Sequence, residues 1–131
     1  MDDEGSDEIF IYTGGEQFLP RNVRRVRIDK SVKIIPSEAF QNRLSLIYVE
    51  FHNSIERIEV WAFYCCESLR RVKLLGVKVI EMGAFWGCSG LTEVEFGDKL
   101  ETIERLAFAS CTSLRNITMP SVKTIGEWAF D

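Results

Sequence analysis

Apolar and polar residues alternate in short stretches of the chain, and these stretches recur at an almost constant interval. In "LTEVEF", residues 91–96, Val94 and Phe96 fall on one side of an extended strand and Glu93 and Glu95 on the other. The slot of Val94 is filled in the other copies by Val26, Val49, Val72 and Ile117. The pattern predicts one β-strand in each copy, with this slot facing the core.

An Ala-Phe pair marks each copy more sharply than the strand does. The pairs begin at Ala39, Ala62, Ala84, Ala107 and Ala129, with spacings of 23, 22, 23 and 22 residues. A second apolar position, such as Ile103, lies between strand and pair and is read as part of a short return segment. Self-similarity at this period is typical of a stacked solenoid. We predict right-handed coils with parallel strands roughly 4.8 Å apart and an interior Phe column from Phe40 to Phe130.

The repeat divides the chain into three parts. Residues 1–8 predict an acidic, disordered head, and residues 9–22 predict an N-terminal hairpin cap that turns at Gly14-Gly15. Five coils are expected at residues 23–45, 46–68, 69–90, 91–113 and 114–131, the last one truncated. Because that coil stops in its Ala-Phe half, we expect a fragment of a longer array, whose uncapped C-terminal end frays or self-associates.

The run L-x-x-V-x-F, followed by V-x-x-I-x-x-x-A-F-x-x-C, resembles the BspA-like leucine-rich repeats, the treponemal class of that superfamily, over residues 23–131. Two departures are Arg43, which stands in a slot that later holds Cys, and the end of the last copy at Asp131. The resemblance implies an α/β repeat solenoid with a parallel sheet on its concave face and little regular helix. It also implies binding of other macromolecules and no catalytic residues.

The charge of the chain is concentrated in its head. The formal net charge is −4, and five of the 20 acidic residues lie in residues 1–8, which leaves 15 acids against 16 bases elsewhere. This balance is not the electrostatic footprint of a nucleic-acid-binding protein. No apolar run approaches the ~18 residues of a membrane span. The head lacks the features of a secretory signal, so we expect a cytoplasmic location, or a surface location if the chain is incomplete.

Charges of alternating sign follow one another from coil to coil at two outward positions. The first row contains Arg27, Glu50, Lys73, Glu95 and Thr118, and the second contains Lys33, Glu56, Lys78, Glu101 and Lys123. Opposite charges on adjacent strands stabilise a sheet by a few tenths to about 1 kcal/mol per pair. A slip by one coil would bring like charges together, so we interpret the rows as specifying the stacking order.

Three of the four cysteines, Cys66, Cys88 and Cys111, share one slot, and Cys65 is an additional neighbour. Zinc sites typically use close C-x-x-C pairs. Neighbours in register would lie roughly 5 Å apart, beyond the ~3.8 Å between the Cβ atoms of a disulfide. We predict that these side chains fill the interior, with no metal and no cofactor. His52 has no second histidine near it and is expected at the surface.

Three tryptophans stand beside the Ala-Phe pairs, at Trp61, Trp86 and Trp128. They are expected on the return side of the coils, partly buried over the convex surface. An exposed aromatic patch for a partner is the alternative.

Catalysis requires a nucleophile, a base and an orienting group at positions outside the repeat, and the sequence offers no such set. We therefore predict a protein that is not an enzyme and that binds a protein partner through its concave strand face. The candidate contacts are Arg25, Arg27, Tyr48, Glu50, Arg71, Lys73, Glu93 and Glu95. The acids among them disfavour nucleic acid. A glycan partner, or a purely structural segment of a larger scaffold or surface adhesin, remains an alternative.

Overall fold

The computed structural model describes residues 8–15, 17, 19–120 and 122–131, and their regular structure consists of short strands. The strands are β1 (Ile9–Tyr12), β2 (Arg25–Ile28), β3 (Ile34–Ile35), β4 (Tyr48–Glu50), β5 (Arg57–Ile58), β6 (Arg71–Leu74), β7 (Val79–Ile80), β8 (Glu93–Phe96), β9 (Thr102–Ile103), β10 (Asn116–Thr118) and β11 (Thr124–Ile125). No helix occurs in these residues. The expected α/β class is therefore corrected to a parallel β-solenoid of about five turns.

Each coil presents two strands, one to each of two parallel sheet sides. The longer strands form sheets in the orders β1-β2-β4 and β6-β8-β10, and we call this the strand side. The two-residue strands form a five-stranded sheet in the order β3-β5-β7-β9-β11, which we call the second side. The sequence predicts only a short return segment here, without a sheet. A two-residue strand carries no alternation from which a sheet could be predicted.

The third side of each coil contains the Ala-Phe pair and is built from turns. Backbone N–H groups donate across this side from coil to coil, as from Phe63 to the carbonyl of Ala84 at 2.7 Å and from Phe85 to that of Ala107 at 2.8 Å. The residue before Ala and the second residue after Phe adopt positive φ, as at Trp61 (59°) and Cys65 (57°). Single left-handed residues interrupt a helix. This turn geometry explains why the Ala-Phe segment stays non-helical.

The N-terminal segment adds a strand to the strand side of the solenoid. Strand β1 pairs with β2 in parallel, with Ile9 opposite Arg25 and Tyr12 opposite Ile28. This pairing is parallel, whereas the hairpin predicted for residues 9–22 requires an antiparallel partner for β1, and residues 16 and 18 of that segment lie outside the described residues. Parallel pairing satisfies the backbone groups on the free edge of β2, and it places buried Tyr12 against Phe40, with ring centroids 5.0 Å apart. The predicted head, residues 1–8, lies outside the described residues except for Glu8.

The core is a stack of equivalent side chains from successive coils. Phe40, Phe63, Phe85 and Phe108 are fully buried, with neighbouring rings parallel within 3° and centroids 4.9–5.0 Å apart. Phe130 extends this column at 5.3 Å from Phe108 and is partly buried. The strand column Val26, Val49, Val72 and Val94 is also buried. These interior predictions are confirmed. Ile117 of the terminal strand β10 is the exception, since 38% of it is exposed.

The cysteine slot forms a second column beside the rings. All four cysteines are free, and Cys66 and Cys88 are buried. The Sγ–H of Cys66 donates to the carbonyl of Phe40 at 3.1 Å, and that of Cys88 donates to the carbonyl of Phe63 at 3.2 Å. Burial raises the pKa of the Cys66 thiol to about 12. Each of these thiols therefore fills the interior and also joins its coil to the preceding one by a hydrogen bond, which the repeat pattern does not predict.

Candidate partner-binding face

The predicted contact residues alternate with buried valines on four strands of the strand side. Each strand contributes two of them, one on either side of its Val, and side chains at these positions point away from the core. The strands are β2, β4, β6 and β8. The eight residues are all exposed or partly exposed, and Tyr48 is 41% exposed. The structure therefore brings all eight onto one surface.

The strand side is interrupted at its middle. Strands β4 and β6 lie next to each other but belong to separate sheets, because no strand pairing joins them. The other two sides of the same coil junction remain bonded. On the second side Arg57 pairs with Val79, and on the turn side the N–H of Cys65 donates to the carbonyl of Trp86 at 2.8 Å. The junction is thus open on the strand side alone.

A groove of about 580 Å³ lies at this opening. Its lining comprises Tyr48, Val49, Glu50, Phe51, Arg71, Val72, Lys73, Glu93 and Glu95. Six of the eight predicted contact residues are in this set, whereas Arg25 and Arg27 lie outside it. The repeat slots of Val49 and Val72 predict positions in the core, and Phe51 is partly buried against that core. They also line the groove because the strands are separated there.

The two halves of the strand side pair their charges differently. Arg27 Nε lies 3.2 Å from Glu50 Oε1, the cross-strand contact that the first charge row predicts. With about half of each side chain exposed, this pair contributes no more than about 1 kcal/mol. Lys73 faces Glu95 in the strand register, but the ion pairs found among the described residues do not include it. Lys73 and its strand neighbour Arg71 therefore keep their charges available to a ligand.

The second charge row is in register through its backbone. The N–H of Glu56 donates to the carbonyl of Lys33 and that of Lys78 to the carbonyl of Glu56, both at 2.8 Å. The ion pair found on this side instead joins Arg57 to Glu81. These two residues occupy different slots of adjacent coils, so comparison of equivalent positions could not predict the pair.

His52 stabilises a turn through hydrogen bonds of both ring nitrogens. Its Nδ1 accepts from the backbone N–H of Ser54 at 3.1 Å, so its Nε2 carries the proton and donates to the carbonyl of Val32 at 2.8 Å. The ring thus links two coils. It borders a smaller hollow of about 320 Å³, close to Asp29. Hydrogen bonds from Ser31 lower the pKa of the Asp29 carboxyl.

Aromatic side chains cluster on the turn side. The rings of Tyr64 and Trp86 stack with centroids 5.2 Å apart, and Trp61 meets Tyr64 edge-on at 5.4 Å. The Trp61 indole also covers Gly83, where a Cβ would lie 2.2 Å from the ring. These partly buried rings match the predicted role as a cover. Trp128 differs, since it is 57% exposed and lies under the Arg105 guanidinium at 5.9 Å.

Known proteins share the repeat, the coil geometry and the parallel strand pairing of this chain. A family model for the BspA type leucine-rich repeat region matches residues 13–131 with six copies, one more than the coils predicted from the Ala-Phe pairs. The chain belongs to this family. None of the curated protein sequences matches it. The described part of the chain contains no membrane-spanning helix.

Three solved structures resemble this repeat protein. A leucine-rich cell surface protein of Faecalibacterium prausnitzii is 30% identical with a TM-score of 0.71, covering 76% of this chain and 26% of that one. The leucine-rich repeat protein of T. pallidum has 21% identity, a TM-score of 0.64 and coverages of 79% and 60%. A leucine-rich repeat protein from Bacteroides ovatus is 26% identical with a TM-score of 0.55, and the match covers 86% of this chain and 33% of that one. The chain therefore spans between a quarter and three fifths of these relatives.

Proposed function

We propose that this leucine-rich repeat chain is a non-catalytic recognition module that binds a protein partner on its strand side. The groove at the junction of β4 and β6 is the observation that carries the proposal. Six of the eight residues predicted from the sequence line it. Fold-level analogy supports recognition as a role but does not identify the partner.

The character of the groove favours a protein partner over a glycan. Of its outward-pointing side chains, Tyr48 is aromatic and the other five are charged. Neutral sugars are held largely by flat apolar rings, whereas charged rows select partners with complementary charges. A protein segment with charges of both signs fits this surface best.

A structural segment of a larger surface protein is the second candidate function. The F. prausnitzii relative is described as a cell surface protein, and this chain matches about a quarter of its length. That description favours a surface location for this chain as well. The expected cytoplasmic location has no support from the comparisons.

Affinity capture with charge-reversed variants tests the proposal. The immobilised chain is exposed to extract and surface proteins of the organism that encodes it, and retained proteins are identified by mass spectrometry. The double variant Lys73→Glu/Glu95→Lys is expected to lose most of the partner recovered by the wild type. The matched control, Lys78→Glu/Glu101→Lys, makes the same charge exchange between the same two coils on the second side, and should retain it.

Equal recovery by the wild type and the strand-side variant would contradict a binding site on this face. No partner specific to the wild type would favour the structural role instead.

A further inference from the structure

We propose that the groove at the junction of β4 and β6 binds a peptide segment in which an acidic residue is followed by a basic one. A carboxylate of the segment lies between Tyr48 on one rim and Arg71 and Lys73 on the other. A basic side chain of the same segment follows over Glu93 and Glu95. This inference rests on the proposed function and specifies the chemistry of the partner.

The backbone at the groove is incompletely bonded, unlike that at the flanking junctions. At the preceding junction the N–H groups of Ile47 and Tyr48 donate to the carbonyl of Arg24, at 2.8 and 3.2 Å. At the following one the N–H of Thr92 donates to the carbonyl of Arg70 at 2.8 Å. The equivalent carbonyl in coil two is that of Ile47, and the described residues of coil three form no such bond to it. Polar backbone groups at this junction are therefore free to bond a ligand or water.

The charges around the groove are arranged in two adjacent columns of opposite sign. Arg71 and Lys73 are exposed on β6, and their register partners on β8 are Glu93 and Glu95. On the other rim Glu50 is already paired with Arg27 at 3.2 Å. A carboxylate entering beside Tyr48 therefore meets two available cations, and the acid nearest to it on that rim is neutralised by its partner.

Side-chain chemistry favours a carboxylate in that position. The planar Arg71 guanidinium can bond both oxygens of a carboxylate, while Lys73 adds a point charge and the Tyr48 hydroxyl a third donor. The acids on β8 disfavour a small multivalent anion such as free phosphate, because both of its charges would face them. A segment that carries an acid and then a base matches both columns.

Selection from a random 12-residue peptide display library on the immobilised full chain tests the inference. The enriched peptides are expected to share an acidic residue, with a basic residue two or three positions away. Synthetic peptides of the enriched sequence are then titrated by fluorescence anisotropy. The variant Arg71→Ser/Lys73→Ser should weaken binding by at least about tenfold, since two charge-assisted contacts are lost.

Two further measurements separate loss of the site from loss of the fold. The matched control Lys78→Ser/Lys99→Ser removes two exposed lysines outside the groove and should bind like the wild type. Tyr48→Phe removes only a hydroxyl and should weaken binding several-fold. Circular dichroism and thermal melting verify that each variant is folded.

Enriched peptides without acidic residues, no enrichment, or equal affinity for the wild type and the Arg71→Ser/Lys73→Ser variant would each overturn the inference. The proposed function can survive that result. Partner capture that depends on Lys73 and Glu95, together with selected peptides that lack acids, would uphold the binding face and reject the acidic segment.

Discussion

The stacked phenylalanine column makes a quantitative prediction about stability, and Phe85 is the best place to test it. Phe85 is fully buried, and its ring lies parallel to those of Phe63 and Phe108 with both centroids 5.0 Å away. Substitution by alanine removes the ring and leaves a cavity between two neighbours.

The expected loss in the free energy of unfolding is large because the surrounding residues cannot move in to fill the cavity. Phe→Ala substitutions in cores cost about 3–5 kcal/mol. Here the backbone on both sides of the ring is pinned, since the N–H of Phe85 donates to the carbonyl of Ala107 and its own carbonyl accepts from Cys111 Sγ at 3.2 Å. Ring stacking adds about 0.5–1.5 kcal/mol per neighbour beyond burial. We expect the upper part of the range, about 4–5 kcal/mol, a large share of the roughly 5–15 kcal/mol typical of a domain.

Urea unfolding followed by circular dichroism measures this cost, with Phe130→Ala as the matched control. Phe130 occupies the same slot but is only partly buried and stacks on one ring, that of Phe108, at 5.3 Å. Its loss should cost about 1–2 kcal/mol. Phe85→Leu, which keeps most of the burial, should fall in between. A Phe85→Ala cost below about 1.5 kcal/mol, or no greater than that of Phe130→Ala, would refute the view that the column stabilises the array as a continuous stack.

Three other measurements test separate features. Gly76→Ala should lower the melting temperature strongly, because the added Cβ would lie 1.8 Å from the carbonyl oxygen of Asn53. A variant that melts at the wild-type temperature would contradict this close approach. The folded chain keeps Cys66 protonated up to about pH 12, whereas an unfolded thiol ionises near its ordinary pKa of 9.0, so the free energy of unfolding should fall as pH rises from about 9 to 12. In urea titrations Cys66→Ala should reduce this dependence on pH, and an unchanged dependence would contradict the assignment to Cys66. Because Ile125 (48%) and Trp128 (57%) are exposed, the 131-residue chain should associate as its concentration increases. Sedimentation should show less association for Trp128→Glu, and a wild-type chain that stays monomeric at every concentration would disprove the prediction.

The interior of the solenoid could be predicted from the sequence because it depends on equivalent positions. A slot such as that of Phe63 repeats at the coil period, so its neighbours in space are its own equivalents in the sequence. The predicted contact between Arg27 and Glu50 follows from the same rule. The pair of Arg57 and Glu81 does not, because it connects unlike slots.

Features that depend on long-range pairing were not predictable from the local pattern. Gly14-Gly15 has the composition of a hairpin turn, but β1 gains its hydrogen bonds from β2 in parallel. The opening between β4 and β6 leaves no trace in the repeat, since Val49 and Val72 have the residue type of every other strand. The eight residues of the candidate face could therefore be predicted as a surface, whereas the groove among them required the structure.

The opening between β4 and β6 also has a mechanical consequence. A solenoid pulled along its stacking axis loads its coil junctions in series, so every junction bears the same tension. The junctions on either side are joined by backbone hydrogen bonds on three sides, but this one is joined on two, the second side and the turn side. Under tension it should part first, widening the groove while the coils on either side stay intact. In a protein anchored at a surface, shear would thereby change the width of the groove in which we propose that a partner binds.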